Sequence, residues 1–241
     1  MRTSTPVRST GGTTSPYRLL RTPPPPALPL VPDEAQREVL AHAGGPLLVL
    51  AGPGTGKTTT LVEAVARRVE GGLTPEQVLV LTFSRKAAQE LRERITARLG
   101  TTTAGPSAWT FHAFCYALVR EQQSPEVFAE PLRLLSAPEQ DVALRELLRG
   151  SIDLGRSWPP VLRACLTTRG LAEEVRALLA RAREVGLEPA DLERLAIRES
   201  RQDWAALAGF FAEYLDVLDA QGALDYAELV HRAVLLAEQA N

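Results

Sequence analysis

A glycine-rich turn wedged between an apolar run and an amphipathic helix constrains this chain more than any other feature. Leu47-Leu48-Val49-Leu50 is unbroken hydrophobic sequence, the pattern of a strand buried on both faces. Ala51-Gly52-Pro53-Gly54-Thr55-Gly56-Lys57-Thr58 follows at once. A helix comes next, with Leu61, Val62, Val65, Ala66 and Val69 on one face, and Gly71-Gly72 ends it. Val78-Leu79-Val80-Leu81 reads as a second buried strand, feeding a helix from about Arg85 to Leu99 with Ala88, Leu91, Ile95 and Leu99 inward. Strand, helix, strand, helix in that order predicts parallel strands joined by right-handed crossovers, an α/β core.

The turn itself is suited to phosphate. The Walker pattern asks for Gly-x-x-x-x-Gly-Lys-Ser/Thr between a strand and a helix. Ala51 takes its first position, where a methyl is tolerated at negative φ, and Gly56, Lys57 and Thr58 match the rest. Gly52, Gly54 and Gly56 let successive backbone N–H groups curl toward an anion, and the helix N-terminus adds partial positive charge. Lys57 is then expected on the β- and γ-phosphates and the Thr58 hydroxyl on Mg²⁺, with Pro53, Thr55 and Thr59 completing the nucleotide-binding stretch. Such a loop suits a kinase, a GTPase, a transporter ATPase or a helicase equally well.

Two further strand-to-helix edges carry unusual side chains. Thr82-Phe83-Ser84-Arg85-Lys86-Ala87-Ala88 places an aromatic, a hydroxyl and two cations where a helix begins. A base stacked on Phe83 would bring its backbone phosphates to Ser84, Arg85 and Lys86, although a core ring beside a solvated first turn fits the same sequence. Trp109-Thr110-Phe111-His112-Ala113-Phe114 repeats the theme, with Thr110 a helix N-cap and His112 a phosphate donor or a packed ring. From about Ser124 onward the sequence shows helical periods and no convincing strand. One helix face carries Leu171, Val175, Leu178, Ala182 and Val185, another Trp204, Leu207, Phe211, Leu215 and Leu218, a third Tyr226, Leu229, Ala233 and Leu236.

Composition narrows the partners only a little. The 241 residues are 45% hydrophobic with formal net charge −2, so bulk electrostatics do not announce nucleic acid, while a local basic groove remains compatible. Residues 1–30 hold seven prolines, nine Ser/Thr, four arginines and no acid, the composition of a disordered or extended tail. No stretch approaches the ~20 apolar residues of a membrane helix, and the start lacks a secretory apolar block. Cys115 and Cys165 lie far apart with no CxxC pattern. A cytoplasmic protein with reduced thiols and no membrane partner is expected.

Taken in order, these motifs resemble the superfamily 1A DNA helicases, the group of UvrD, PcrA, Rep and RecB. Leu30 to Gln36 is similar to their Q motif, with Gln36 implied at the adenine edge. Ala51–Thr58 resembles motif I, Thr82–Ala88 motif Ia and Thr110–Phe114 motif Ib. The resemblance implies a RecA-like P-loop NTPase sheet forming part of a domain 1A, with an inserted all-helical subdomain 1B. On that reading residues 1–27 are a tail, 28–123 the first part of 1A, 124–222 the helical 1B, and 223–241 the return helix. It implies ATP and Mg²⁺ as cofactors and single-stranded DNA as partner, held by Phe83, Ser84, Arg85, Lys86, Thr110, Phe111 and His112. Thr59 departs from an arginine that several members carry near the adenine. Within the group, Phe83–Ala88 and the Pro-rich lead-in look most like the actinobacterial two-subunit helicase–nucleases, which implies a second subunit.

The family's Asp-Glu pair, which holds Mg²⁺ and activates water, has no counterpart after the loop. The single adjacent Asp-Glu is Asp33-Glu34, which follows Pro32 and opens a helix. The resemblance therefore implies the N-terminal portion of a larger motor, with negligible ATPase and no unwinding by this polypeptide alone. Another P-loop enzyme such as a kinase, or a DNA-gripping subunit with little turnover, are the competing readings.

Overall fold

The computed structural model of the chain describes residues 31–100, 107–122, 132–153 and 158–239. The tail at 1–27, Leu30 at the head of the Q-like motif and the sequence at 123–131 lie outside the described residues. Two compact units are present, one built from the chain up to Leu79 with Gln89–Ser107, the other from Val80–Ala88 with the chain from Ala108 onward.

The first unit begins with α1 (Glu34–Ala41), started by a capping box. The Asp33 carboxylate accepts the Gln36 N–H at 2.8 Å, and the Gln36 side-chain oxygen accepts the Asp33 N–H at 3.2 Å. Asp33 is thus committed to a helix end, and the only adjacent Asp-Glu pair in the chain is structural. Helix α2 (Lys57–Glu70) buries Val62, Ala64, Val65 and Ala66, stops at Gly71, and ends with Arg67 and Arg68, where the helix dipole favours cations. A charged clasp ties it to the C-terminal part of α3 (Arg85–Leu99). Arg98 Nε lies 2.7 Å from Glu63 and its Nη1 2.8 Å from Glu70. The Arg98 hydrogen bond, opposed by burial and reinforced by Arg67, holds the Glu63 carboxyl below its ordinary value.

Leu47–Leu50 does not form the buried strand its hydrophobicity predicts. No strand is present there, and Leu48 and Leu50 are 81% and 86% exposed. Hydrophobicity favours burial but a strand also needs a neighbour to satisfy its N–H and C=O groups, and none of the described strands pairs with this run.

In the second unit, apart from their first residues, β1 (Leu79–Thr82) pairs with β2 (Ser107–Thr110), which runs directly into α4 (Phe111–Glu121). The remainder is mainly helical: α5 (Ala137–Asp153), α6 (Pro160–Arg163), α7 (Arg169–Glu184), α8 (Pro189–Arg198), α9 (Gln202–Ala220) and α10 (Tyr226–Gln239). Its core gathers Leu144, Leu148, Val175, Leu179, Phe210, Phe211, Tyr214 and Leu218. A smaller cluster of Val119, Leu132, Leu224, Leu229 and Ala233 joins α4 to α10. None of the described helices is long and apolar enough to cross a membrane.

Two expectations for this half need correcting. A short parallel bridge exists, β3 (Arg133–Leu134) with β4 (Ala223–Leu224), in register Arg133 with Ala223. Two residues per strand carry no readable period, so only the fold reveals it. On α7 the buried stripe is Ala172, Val175, Leu179 and Ala182, while Leu178 and Val185 are exposed. The stripe is thus rotated by about one position from the expected one.

The return into α10 is pinned by polar groups. Asp225 caps α10, its Oδ1 accepting the Glu228 N–H at 2.8 Å, while Oδ2 accepts from Tyr214 Oη at 2.9 Å and Gln140 Nε2 at 2.8 Å. Burial, then the neighbouring Asp225 carboxylate, push the Tyr214 phenol up. Beside it Arg183 lies 2.7 Å from Glu228 Oε2, both side chains only 5% exposed. It also lies 2.8 Å from Glu188 and stacks 4.8 Å above the Phe211 ring. Glu188 in turn meets His231 at 2.8 Å.

Candidate functional site

The phosphate loop stands at the N-terminus of α2 with its glycines in the conformation its sequence demands. Gly54 and Gly56 adopt φ of +77° and +83°, the left-handed region that a side chain disfavours. Gly56 is the N-cap of α2, and no side chain caps that end among the described residues. Its first intrahelical bond is Thr60 N–H to Gly56 C=O at 2.8 Å, so the amides of the first turn face outward as donors. No acidic residue occupies that turn. The end of α2 is therefore fitted to an anion by backbone and dipole together.

Lys57 curls back over the loop. Its Nζ donates to the carbonyl oxygens of Ala51 at 2.8 Å and Gly52 at 2.7 Å, and Thr55 Oγ1 donates to Gly52 at 2.9 Å. These bonds close the loop into a ring around an exposed ammonium. Ala51, Pro53, Thr58 and Thr59 are all exposed, so the Thr58 hydroxyl is accessible to an ion and the residues present fit a Mg²⁺–nucleotide. Gln36 reaches the same loop from α1, donating Nε2 to the Thr55 carbonyl at 3.2 Å.

The other candidate residues gather within the second unit. β1 ends at Thr82, and Ser84 caps α3, its Oγ accepting the Ala87 N–H at 3.1 Å. β2 ends at Thr110, whose Oγ1 accepts the Ala113 N–H at 3.2 Å as N-cap of α4. Two hydroxyl-capped helix N-termini thus follow two paired strands, and the aromatic beside each cap meets its counterpart. The Phe83 and Phe111 rings are 5.1 Å apart and tilted by 34°, with Phe83 93% exposed. The core alternative for Phe83 is excluded by that exposure. Arg85 and Lys86 are exposed on the first turn of α3, and His112 is exposed with its ring edge-on to Tyr226 at 5.1 Å. Sequence reasoning named both aromatics but had no means of showing that they form one platform. It also missed Tyr226 as the partner of His112, since the two are separated by the whole helical segment.

The loop offers outward amides and an ammonium, and Phe83 and Phe111 offer two exposed planar rings. The sequence matches the UvrD/REP helicase N-terminal domain over residues 33–241, and the chain belongs to that family. It is 29% identical over 203 residues to DNA helicase II of Escherichia coli, covering 83% of this chain and 26% of that protein. It is 32% identical over 223 residues to the ATP-dependent DNA helicase UvrD2 of Mycobacterium bovis, covering 86% and 30%. Over 92 residues it is 44% identical to the ATP-dependent DNA helicase UvrD1 of Mycobacterium leprae, covering 37% of this chain and 12% of that protein. The chain therefore spans less than a third of the length of these relatives.

Proposed function

We propose that this chain is the ATP-binding portion of an ATP-dependent DNA helicase or translocase of the repair and recombination type. The loop Ala51–Thr58 takes the triphosphate on its outward amides and Lys57, which exchanges two carbonyl partners for phosphate oxygens. The Thr58 hydroxyl contributes to Mg²⁺, which neutralises charge on the phosphates when bound. Gln36 keeps one N–H and one lone pair free on its amide, a donor–acceptor pair suited to the edge of adenine. Single-stranded DNA lies on Phe83 and Phe111, with Ser84, Arg85, Lys86, Thr110 and His112 at its phosphates. In the family's terms the first motor domain, 1A, holds both sites and the helical segment is its 1B insertion.

The observation that carries this reading is the meeting of Phe83 and Phe111. A phosphate loop alone serves any NTPase, whereas two rings beside two helix N-termini serve a strand of bases and phosphates. The sole adjacent Asp-Glu pair is engaged at α1, so this chain alone should bind ATP while turning it over well below ~1 s⁻¹, the lower end of ordinary enzyme rates. The test is titration of a fluorescent oligothymidylate at increasing salt. Binding should weaken with a log–log slope of about −0.7 per phosphate neutralised. A kinase or another small-molecule P-loop enzyme would show no such binding at low salt.

A further inference from the structure

We infer that Gln36 is a positioning residue for the phosphates, bracing the loop through Thr55 whether or not a base is present. This rests on the ATP-binding reading above and adds a second duty to a residue assigned there only to the base.

The amide of Gln36 is fixed in one orientation by its neighbours. Its oxygen accepts the Asp33 N–H at 3.2 Å, and its nitrogen donates to the Thr55 carbonyl at 3.2 Å. Flipping the amide would set donor against donor and acceptor against acceptor, so only this orientation satisfies both ends. The capping box holds the near end, with the Asp33 carboxylate on the Gln36 N–H at 2.8 Å. At the far end the side chain reaches across 19 positions of sequence to the residue just before the left-handed Gly56. A Cβ built on Gly56 would lie 3.1 Å from Gln36 Nε2, so the amide rests against the turn that aims Lys57 and the first amides of α2.

The consequence is preorganisation. The loop is otherwise held by its own contacts, Thr55 Oγ1 to Gly52 and Lys57 Nζ to Ala51 and Gly52. The lysine contacts are given up when Lys57 turns to a phosphate. The Gln36 bond is made by a group that phosphate does not engage, so it persists and keeps Thr55–Gly56 in place while Lys57 moves. A ligand then spends less of its binding energy ordering the loop.

A base-free probe separates this role from adenine reading. Mg²⁺–tripolyphosphate and Mg²⁺–ATP are titrated calorimetrically into the whole chain, into Gln36→Ala, and into Asp33→Ala as a control for the helix cap. Gln36→Ala should weaken tripolyphosphate by about 2- to 13-fold, the worth of one net hydrogen bond, and weaken ATP at least as much. Asp33→Ala, which removes the capping carboxylate but keeps the backbone N–H that the Gln36 oxygen accepts and the Thr55 contact, should weaken tripolyphosphate clearly less than Gln36→Ala does. Loss of ATP affinity with tripolyphosphate affinity intact would overturn the inference and leave Gln36 a base reader only. Equal losses in both variants would overturn it in favour of a simple α1-stability effect. A wild-type chain that binds neither probe would sink the ATP-binding reading and this inference with it.

Discussion

Removing the Phe83 ring should cost DNA affinity without costing stability. The residue is 93% exposed, so truncation to alanine deletes almost no buried apolar area and opens no cavity. What it loses within the protein is the tilted pairing with Phe111 at 5.1 Å, worth about 0.5–1.5 kcal/mol at most for an aromatic pair and less at so exposed a site. Toward DNA the proposed role makes the loss one stacking surface, worth about 1–3 kcal/mol per base, or roughly 5- to 140-fold in Kd. The second effect dominates. Fluorescence anisotropy with an oligothymidylate at low salt should show that weakening for Phe83→Ala, near-recovery for Phe83→Trp, and an unchanged salt slope, because no phosphate contact has been removed. Thermal unfolding of the same samples should shift by little. Unchanged DNA affinity in a well-folded Phe83→Ala chain would refute the stacking role. A lost salt slope would show that the substitution had disturbed Arg85 and Lys86 instead.

Two further outcomes concern what holds the molecule together. Glu228→Gln should destabilise the helical unit by about 1–3 kcal/mol in urea unfolding, because it removes the buried one of the two carboxylates paired with the Arg183 guanidinium and leaves it Glu188 alone; the double variant Arg183→Met/Glu228→Gln should recover much of the loss. The Glu63–Arg98 clasp should weaken in acid. Its carboxyl is held below the ordinary 4.5, so its stabilisation is fully present above that pH and disappears as pH falls through the folded value. Unfolding curves of wild type and Glu63→Gln should therefore draw together as the pH is lowered from 4.5 through the depressed folded value, and parallel curves throughout would contradict the clasp.

Where local chemistry decides structure, the sequence was readable. The start of α1, the span of α3, the Gly71 stop of α2 and the Thr110 cap all follow from short-range signals that do not depend on distant partners. Where structure depends on partners, it was not. Leu47–Leu50 has the composition of a central strand but no ladder neighbour among the described strands, and its leucines stand exposed. The β3–β4 bridge joins residues about 90 positions apart through two pairs, too little to leave a pattern. Arg183 and Glu228 carry no sequence signal of their pairing, since charged side chains are rarely buried, yet they are buried against each other. The same limit applied to the candidate site. Gly54, Gly56 and Lys57 announced their loop through spacing alone, whereas the Gln36–Thr55 brace and the Phe83–Phe111 platform exist only because the fold brings separate turns together.

The most direct test of the account is calorimetric titration of Mg²⁺–ATP into the chain and into Lys57→Ala. The wild type should bind one nucleotide per chain, and the variant, with its charge-assisted phosphate contact gone and its fold intact by circular dichroism, should show no measurable binding. ATP binding of equal affinity in both would contradict the claim that the loop at Ala51–Thr58 is where this chain takes hold of a nucleotide.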